Sequence, residues 1–213
     1  MIIAFDTYYY NGFSYTVGGV FKSWVDSDVC YYVTSKRDCI DAEYKSGELY
    51  KRELPCIMQC LSMIDIQNID TIIIDGYVWL SEDGKELVKG LGARLYDEIV
   101  KKYDINNICI VGIAKNPYHV KIPNCVEVEH GLDSKKPLYV TCSTPEFAEY
   151  YSILINKMHG DYRMPTIIKA IDSKTREFSE KIEEEEMKPI EIDFGSFDEW
   201  VKETEENGFR YNR

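Results

Sequence analysis

Three acidic residues occupy positions where carboxylates could take part in metal-assisted chemistry. Asp6 ends a short apolar run at the start of the chain, Asp75 ends the β-branched run 71–74, and Glu53 begins a helical pattern that precedes that second run. Carboxylate oxygens are the ligands that Mg²⁺ and Mn²⁺ prefer, and acids that converge at strand ends suit phosphoryl transfer. Because ligands of open α/β sheets bind beyond the carboxyl ends of strands, Asp75 is well positioned for such a role.

The same three residues also fit ordinary structural roles. The pair Asp75-Gly76 has the composition of a turn, and Glu53 would interact favourably with the dipole at a helix amino terminus. Residue type and local position alone leave both interpretations open.

The first 34 residues have the pattern of an antiparallel meander. Residues 2–5 and the tyrosine-rich stretch 8–25 are strand-like, with a turn signal at Asn11-Gly12. Residues 29–34 are rich in β-branched and aromatic side chains and predict a third strand.

The middle of the chain alternates between helix and strand. Apolar residues at spacings of three and four predict an amphipathic helix over 52–66, with Pro55 in its first turn. Strands covered on both faces are predicted at 71–74 and 108–113, joined by a helix over 82–103, which implies a right-handed parallel crossover. Shorter strands at 126–128 and 138–141 and a helix at 144–158 follow. The pattern predicts an α/β fold with a mixed sheet flanked by helices.

The charge of the chain is unevenly distributed. The net charge is −12, and residues 177–206 hold 13 acidic and 3 basic side chains. A length of 213 residues suits one domain with a short appendage, so we predict a domain over 1–176 and an acidic appendage over 177–213. Within the appendage, 179–186 is predicted as a solvated helix or linker and 194–206 as a last short helix. The strongly negative net charge argues against a protein that binds nucleic acid non-specifically through its phosphates, although a local basic groove remains possible.

The composition also indicates where the protein is located and whether its cysteines are free. No secretion signal and no apolar run of roughly 20 residues is visible, so the default expectation is a cytoplasmic monomer with no membrane partner. The seven cysteines are scattered and lack a Cys-x-x-Cys pair, which predicts free, mostly buried thiols. Cys56 and Cys60 would share one helix face, where packing is a simpler explanation than metal binding.

Several short motifs resemble the endonuclease V family in order and spacing from residue 1 to about 176. The matching stretches are residues 44–55 (YKSGELYKRELP), Asp75-Gly76, Leu91-Gly92, residues 111–115 (VGIAK) and Tyr162-Arg163-Met164-Pro165. The agreement of the whole series is much more specific than any one motif. The acidic appendage lies outside it.

The resemblance implies a ribonuclease-H-like nuclease that uses Mg²⁺ or Mn²⁺ to cut nucleic acid beside hypoxanthine, a deaminated adenine. By position, Asp6, Glu53 and Asp75 would hold the metal, and Lys115 would contact the scissile phosphate. Asp172 falls where the family carries Asp or His and would be an outer metal ligand, although a helix cap explains a lone acid after a proline turn equally simply.

The resemblance also implies three nucleic-acid contacts, at Tyr44, Gly47 and Arg52. Tyr44 corresponds to the family's wedge, which occupies space beside a base displaced from the stack. A partly buried structural tyrosine is an equal alternative, because Glu43 and Ser46 replace the prolines that stiffen the family's wedge.

The chain departs from the family in the loop after Asp75. A His-Gly pair and a His-Pro-Arg stretch are replaced by Tyr77-Val78 and by residues 81–83 (SED), so a basic loop becomes neutral to acidic. The departure leaves two alternatives open: a relative that binds nucleic acid or protein without cleaving, and a metal-dependent phosphodiesterase acting on a small nucleotide. We further expect the acidic appendage to compete with nucleic acid for a basic groove.

Overall fold

The computed structural model describes residues 1–38, 50–132, 134 and 136–184. Seven strands form one mixed sheet in the order β3-β2-β1-β4-β7-β9-β8, and a separate two-stranded ribbon, β5-β6, lies on a connecting loop. The α/β class with an antiparallel meander and parallel strands is therefore confirmed.

The meander consists of β1 (Ile2–Tyr10), β2 (Phe13–Phe21) and β3 (Tyr31–Asp38). A two-residue turn joins the first two strands, and both of its residues have positive φ, 47° at Asn11 and 77° at Gly12. Such a turn matches the right-handed twist of paired strands, and an Asn-Gly sequence adopts it at little steric cost. The predicted hairpin is confirmed.

The parallel part of the sheet is centred on β4 (Thr71–Asp75). It pairs in parallel with β1 on one side and with β7 (Cys109–Ala114) on the other. The strands β9 (Leu138–Cys142) and β8 (Val126–Val128) complete the sheet in antiparallel orientation. The continuous apolar runs predicted β4 and β7, because strands buried on both faces need such sequence. The shorter strands predicted at 126–128 and 138–141 correspond to β8 and β9.

Four α-helices cover the two faces: α1 (Tyr50–Leu61), α2 (Leu91–Tyr103), α3 (Ala148–Asn156) and α4 (Thr166–Glu184). Side chains of α1 and α2 pack on one face of the sheet, and those of α3 and α4 pack on the other. On the second face, Gly19 makes room for Ile171, because a β-carbon at position 19 would lie 2.7 Å from the Ile171 Cδ1 atom.

The predicted start of α2 at residue 82 is wrong. The helix begins at Leu91, and β5 (Trp79–Leu80) and β6 (Val88–Lys89) form a ribbon before it. The carboxylate of Asp83 accepts hydrogen bonds from the backbone amides of Lys85 and Glu86, and Gly84 has a φ of 76°. Local turn chemistry therefore overrides the helical spacing of the apolar residues.

The long helix α4 was not predicted over its first half. It passes through the predicted domain boundary after residue 176, with the side chain of Phe178 buried against Tyr15. Of the stretch 179–186, predicted as a solvated helix or linker, residues 179–184 are helical and form the end of α4. The predicted helix over 194–206 lies outside the described residues, and the division into a domain over 1–176 and an appendage over 177–213 stays a prediction.

None of the helices in the described ranges combines the length and the apolar character needed to cross a bilayer.

Candidate active site

Two of the predicted carboxylates lie side by side where β4 ends, because Asp75 is the last residue of β4 and Asp6 lies within the neighbouring parallel strand β1, which continues to Tyr10. Phe5 of β1 is opposite Ile74 of β4, and Asp6 and Asp75 each follow directly in their strands. Their side chains therefore emerge at the same edge and on the same face of the sheet. This juxtaposition is the one that the sequence-based hypothesis requires.

Lys115 reaches the same place from the next strand. Asp75 is opposite Ile113 of β7, and Lys115 follows two residues later on the same face. The Lys115 Nζ atom lies 2.6 Å from the Asp75 Oδ2 atom, with both side chains a little more than one-third exposed. Burial opposes the charged form of Lys115, but the hydrogen bond and charge of Asp75 outweigh it, so the pKa of Lys115 is raised.

Asp6 is held by the last helix. The Thr175 Oγ1 atom of α4 donates a hydrogen bond of 3.2 Å to the Asp6 Oδ2 atom. Burial raises the pKa of Asp6, and the negative charge of Asp75 raises it further, against smaller opposing effects of Lys115 and Thr175. Asp6 and Asp75 therefore repel one another when both are ionised.

Glu53 approaches from α1. Glu53 as a whole is partly exposed, but its carboxyl group is buried in the protein. Burial raises the pKa of Glu53 well above its usual range, and the charges of Asp75 and Asp6 raise it further. Arg52 and Lys115 lower the pKa of Glu53 in part. The predicted third carboxylate thus shares an electrostatic environment with the other two.

Asp172 is the seventh residue of α4, inside the helix, so the alternative interpretation as a helix cap is wrong. Its carboxylate is paired with Lys169 and lies 3.6 Å from the Arg176 Nη2 atom. Burial alone would raise the pKa of Asp172, but Lys169 and Arg176 lower it overall. Asp172 is therefore already neutralised by basic neighbours on its own helix.

These side chains surround a cavity of about 180 Å³ at the strand ends. Four of the five predicted catalytic or metal-binding residues line it, and Glu53 is coupled to it through the charges of Asp6 and Asp75. The floor is apolar, with Ile73, Ile113 and Ile171 among its residues. A charged, partly closed cleft of this kind strengthens electrostatic interactions with a bound anion or cation.

The donor set fits a divalent cation. Burial and mutual repulsion raise the pKa of Asp6 and Glu53, and a nearby positive charge would stabilise both as carboxylates. Among the residues that the structure describes, no three acidic, histidine or cysteine side chains already form a coordination sphere. Lys115 provides the positive charge beside Asp75, so metal binding would require the carboxylates to turn towards a common point.

The predicted nucleic-acid contacts are only partly described. Tyr44 and Gly47 lie outside the described residues, so their roles stay predictions. The guanidinium of Arg52 lies over the ring of Tyr9, 4.1 Å from its centroid, and its charge lowers the pKa of Glu53. In this arrangement Arg52 supports the carboxylate site from the side of α1.

Several residues that support the site had no role predicted from the sequence. Arg163, within the matched Tyr-Arg-Met-Pro stretch, donates from Nη2 to the carbonyl oxygens of Lys115 and, at 2.8 Å, of Pro137. Gly112 has no room for a side chain, since a β-carbon there would lie 2.5 Å from the carbonyl oxygen of Gly76. Thr141 accepts a hydrogen bond of 2.9 Å from the backbone amide of Val78. Arg163 and Gly112 lie in motifs that matched the family, whereas no sequence signal marked Thr141.

The six cysteines that the structure describes and the three histidines are absent from the lining of the carboxylate site. The six described cysteines carry free thiols, and Cys56 and Cys60 are buried in the packing of α1, as predicted. His130 is buried, with its ring nitrogens 2.7 Å and 2.9 Å from the carbonyl oxygens of Tyr162 and Met158. Its role is therefore to hold the loop that carries Arg163.

Comparison with solved structures identifies the fold. An endonuclease V from Streptomyces avermitilis superposes with a TM-score of 0.58 at 18% identity, covering 84% of this chain and 81% of that one. Human ENDOV gives a TM-score of 0.60 at 16% identity, covering 84% of each chain. An endonuclease V from Bacillus subtilis gives 0.53 at 20% identity, covering 84% and 81%. No family model and no curated protein matches the sequence.

The chain therefore has the fold of endonuclease V, an α/β fold of the ribonuclease-H-like type. The resemblance that was predicted from the short motifs is confirmed at the level of the fold. The identities to these three structures are only 16–20%, so the likeness is one of fold.

Proposed function

We propose that this protein is a metal-dependent nuclease of the endonuclease V type that hydrolyses a phosphodiester bond in DNA or RNA. One observation carries the proposal: Asp6 of β1, Asp75 at the end of β4 and Lys115 just after β7 meet in a single cavity, with Glu53 electrostatically coupled to them. Strand ends of this kind are where α/β enzymes bind their ligands.

Each residue of the site has a role in this proposal. Asp6, Glu53 and Asp75 would hold Mg²⁺ or Mn²⁺, with Asp172 as an outer ligand. When bound, the ion lowers the pKa of a coordinated water and offsets charge on the phosphate. Lys115 would leave Asp75 and donate to a phosphate oxygen, a change within reach of its flexible side chain. Thr175 would keep the Asp6 carboxylate oriented through its hydrogen bond.

We extend the proposal to substrates that contain inosine, and hence to a role in nucleic-acid repair. The support is the sequence resemblance around residues 44–55. Tyr44 has the position of the wedge in this stretch, and Gly47 follows three residues later. Tyr77 in place of the family's histidine favours an altered substrate preference over a strict one. The phosphodiester bond would then be hydrolysed beside the deaminated base.

A cleavage assay tests the proposal. Single- and double-stranded DNA and RNA, each with inosine or with guanosine at one position, are incubated with the protein and Mg²⁺ or Mn²⁺. We expect strand scission that Asp75→Asn and Asp6→Asn each reduce by more than about 100-fold, because each removes a predicted metal ligand. Asp97→Asn, which alters an exposed ion pair on α2, is the matched control and should cleave normally.

A second candidate function is nucleic-acid binding without cleavage. The observation in its favour is that Lys115 already neutralises Asp75, while residues 81–83 (SED) give the neighbouring loop acidic character. This candidate predicts binding to oligonucleotides that is unchanged by Mg²⁺, Mn²⁺ or Asp75→Asn, with every substrate left intact. Metal-dependent scission by the parent protein rejects it.

A further inference from the structure

Two cysteine thiols meet at the end of the sheet away from the carboxylate site. Cys109 is the first residue of β7 and Lys115 follows its last residue, so the thiols lie at the other end of that strand. The Sγ atoms of Cys109 and Cys142 are 3.1 Å apart. A disulfide bond is about 2.05 Å long, so the sulfur atoms need to approach by about 1 Å to form one. We call these two residues the thiol pair.

The strand register places both side chains of the thiol pair on one face of the sheet. Val111 is opposite Cys142 in the antiparallel pairing of β7 with β9, and Cys109 lies two residues before Val111. Residues two apart on a strand point to the same face, so the cysteines are diagonal neighbours. Because Cys109 precedes the first paired residue of this ladder, the small backbone adjustment that closure needs falls at the start of β7.

The two thiols differ in access and in acidity. Cys142 is buried, with 1% of its surface exposed, whereas Cys109 is half-buried. A hydrogen bond from the Cys142 thiol is the main cause that lowers the pKa of Cys109 to about 7. Tyr151 and Ser143 also donate to the Cys109 sulfur, while burial opposes them. The hydrogen bond with Cys109 and burial raise the pKa of Cys142. Cys109 is therefore the thiol that ionises near neutral pH and that a small molecule can reach.

Neighbouring polar groups hold the thiol pair in place. The Ser143 hydroxyl donates to the Cys109 sulfur at 3.6 Å and accepts a hydrogen bond of 3.1 Å from the backbone amide of Ile110. The Trp79 Nε1 atom donates a hydrogen bond of 2.9 Å to the carbonyl oxygen of Cys142. The fold thus brings the thiols together before any oxidant arrives, which lowers the entropic cost of joining them.

The surroundings of the thiol pair favour oxidation over metal binding. In the part of the chain that the structure describes, no group of three cysteine, histidine, aspartate or glutamate side chains is arranged to hold a metal ion. Two thiolates alone leave half of a tetrahedral coordination sphere empty. A half-buried thiol of lowered pKa beside a second thiol is instead typical of cysteines that are oxidised reversibly.

We propose that the thiol pair is a site of reversible oxidation, at which hydrogen peroxide converts the two thiols into a disulfide. The Cys109 thiolate attacks one peroxide oxygen, the O–O bond breaks, and the leaving hydroxide takes up the proton that Cys109 lost. The Cys142 sulfur then attacks the sulfur of the resulting sulfenic acid. The S–O bond breaks, and the second hydroxide takes the Cys142 proton. Two thiols and one peroxide thus give one disulfide and two molecules of water.

Peptide mass spectrometry of the full-length protein tests the proposal. Reduced protein, freed of reductant, is treated with hydrogen peroxide, the remaining thiols are blocked with N-ethylmaleimide, and the digest is analysed without reduction. We expect a linked pair of peptides that carries Cys109 and Cys142 and has two hydrogen atoms fewer than the separate peptides. Dithiothreitol should restore both thiols. Both should be lost about tenfold faster than the thiol of Cys125, whose pKa is raised to about 11 by burial.

Variants separate the two steps of the reaction. Cys142→Ser keeps a hydrogen-bond donor but removes the second sulfur, so Cys109 should stop as a sulfenic acid that dimedone traps. Cys109→Ser should leave the buried Cys142 thiol unoxidised at the same peroxide dose. Cys125→Ser, which removes a half-buried thiol elsewhere, is the matched control and should form the disulfide at the parent rate.

Several results would overturn the proposal. One is oxidation of Cys109 to a sulfinic acid while Cys142 still reacts with N-ethylmaleimide, and another is a pair that stays reduced when Cys125 is oxidised. A mixed disulfide of Cys109 formed with glutathione disulfide, where peroxide gives no linked peptides, would show a site of thiol–disulfide exchange instead. An equal yield of the linked peptides from protein unfolded in urea would show that the fold does not position the pair. None of these results depends on nucleic-acid cleavage, so they leave the proposed function untouched.

Discussion

The ammonium group of Lys115 lies 2.6 Å from a carboxylate oxygen of Asp75, so the side chain predicted to contact the substrate phosphate is paired with a predicted metal ligand. Two cations that share one carboxylate repel each other. A divalent ion bound at Asp75 would therefore displace Lys115 and leave its charge available to the substrate. Substrate contact by Lys115 would then depend on metal binding.

Replacement of Lys115 tests this competition. In Lys115→Met the apolar stem is kept and the charge is lost, so we expect Mn²⁺ to bind about tenfold more tightly, measured by isothermal titration calorimetry. The same variant should cleave more slowly at saturating metal. Lys89→Met, which removes an exposed lysine paired with Asp97 outside the cavity, is the control and should leave Mn²⁺ binding unchanged. Unchanged or weaker Mn²⁺ binding in Lys115→Met would contradict competition at Asp75.

Glu53 should reduce the stability of the metal-free protein. Burial and the charges of Asp75 and Asp6 raise the pKa of Glu53, so its folded form resists ionisation more than its unfolded form does. The folded state is then increasingly disfavoured as pH rises above the ordinary glutamate range. We expect Glu53→Gln to raise the free energy of unfolding at pH 7 by about 1 kcal/mol, or Tm by roughly 2–4 °C, with no gain near pH 4.

Bound metal should reverse the order of stability of the parent protein and Glu53→Gln. With saturating Mn²⁺ the parent gains binding energy that Glu53→Gln cannot match, so the parent should become the more stable of the two. Calorimetric scans at pH 4 and pH 7, with and without Mn²⁺, measure both effects. A variant less stable than the parent at pH 7 without metal would show that Glu53 is well stabilised in the fold as a carboxylate.

Arg163 should be needed to hold the Lys115 segment. Its guanidinium donates to two carbonyl oxygens, of Lys115 and Pro137, which a single ammonium group cannot satisfy in the same geometry. We expect Arg163→Lys to lower the free energy of unfolding in urea by about 1–3 kcal/mol. Arg37→Lys, at an exposed position of β3, should change it by less than about 0.5 kcal/mol.

Cys109 should be the most readily alkylated of the described buried or half-buried thiols near neutral pH. A hydrogen bond with the thiol of Cys142, at 3.1 Å, is the main cause that lowers the pKa of Cys109 to about 7. Its reactivity towards iodoacetamide, measured by peptide mass spectrometry, should rise between about pH 6 and 8. Cys60, whose pKa is raised to about 12 by burial, should remain unmodified there. In Cys142→Ala the reactivity of Cys109 should move to higher pH.

The acidic appendage is tested by two truncations. Removal of residues 185–213 leaves α4 intact and should raise the affinity for an oligonucleotide at low salt, with the difference disappearing at high salt because charge repulsion is screened. Removal of residues 177–213 also deletes Phe178, which is buried against Tyr15, and should destabilise the domain by about 3 kcal/mol or more. Equal affinities of the full-length and 1–184 proteins at low salt would reject competition by the appendage.

The sequence predicted the strands better than it predicted the helices. Continuous β-branched runs located β4 and β7, and Asn11-Gly12 located the first hairpin, because each pattern has one dominant structural solution. The start of α2 was misplaced because the apolar spacing continues through the turn at Asp83. The first half of α4 was overlooked because its Ile167 and Ile171 lie among polar residues close to a proline turn.

The residues of the site divide in the same way, into those that a local sequence pattern could predict and those that it could not. The meeting of Asp6 with Asp75 could be predicted, since both follow apolar runs that pair as parallel strands, although β1 continues beyond Asp6. Contacts between distant parts of the chain, such as Arg163 with Lys115 and Thr175 with Asp6, could not, because no local pattern encodes them. The pairing of β8 with β9 could not be predicted either, because short strands do not specify their register.

The hydrogen bond between Thr175 and Asp6 joins residues 169 positions apart, almost the two ends of the described chain. The ribosome synthesises Asp6 well before α4. The docking of α4 that completes this cleft must therefore wait until residue 175 has left the ribosome. Nascent chains that stop before residue 172 would lack both Thr175 and Asp172, so they would not possess the complete cleft.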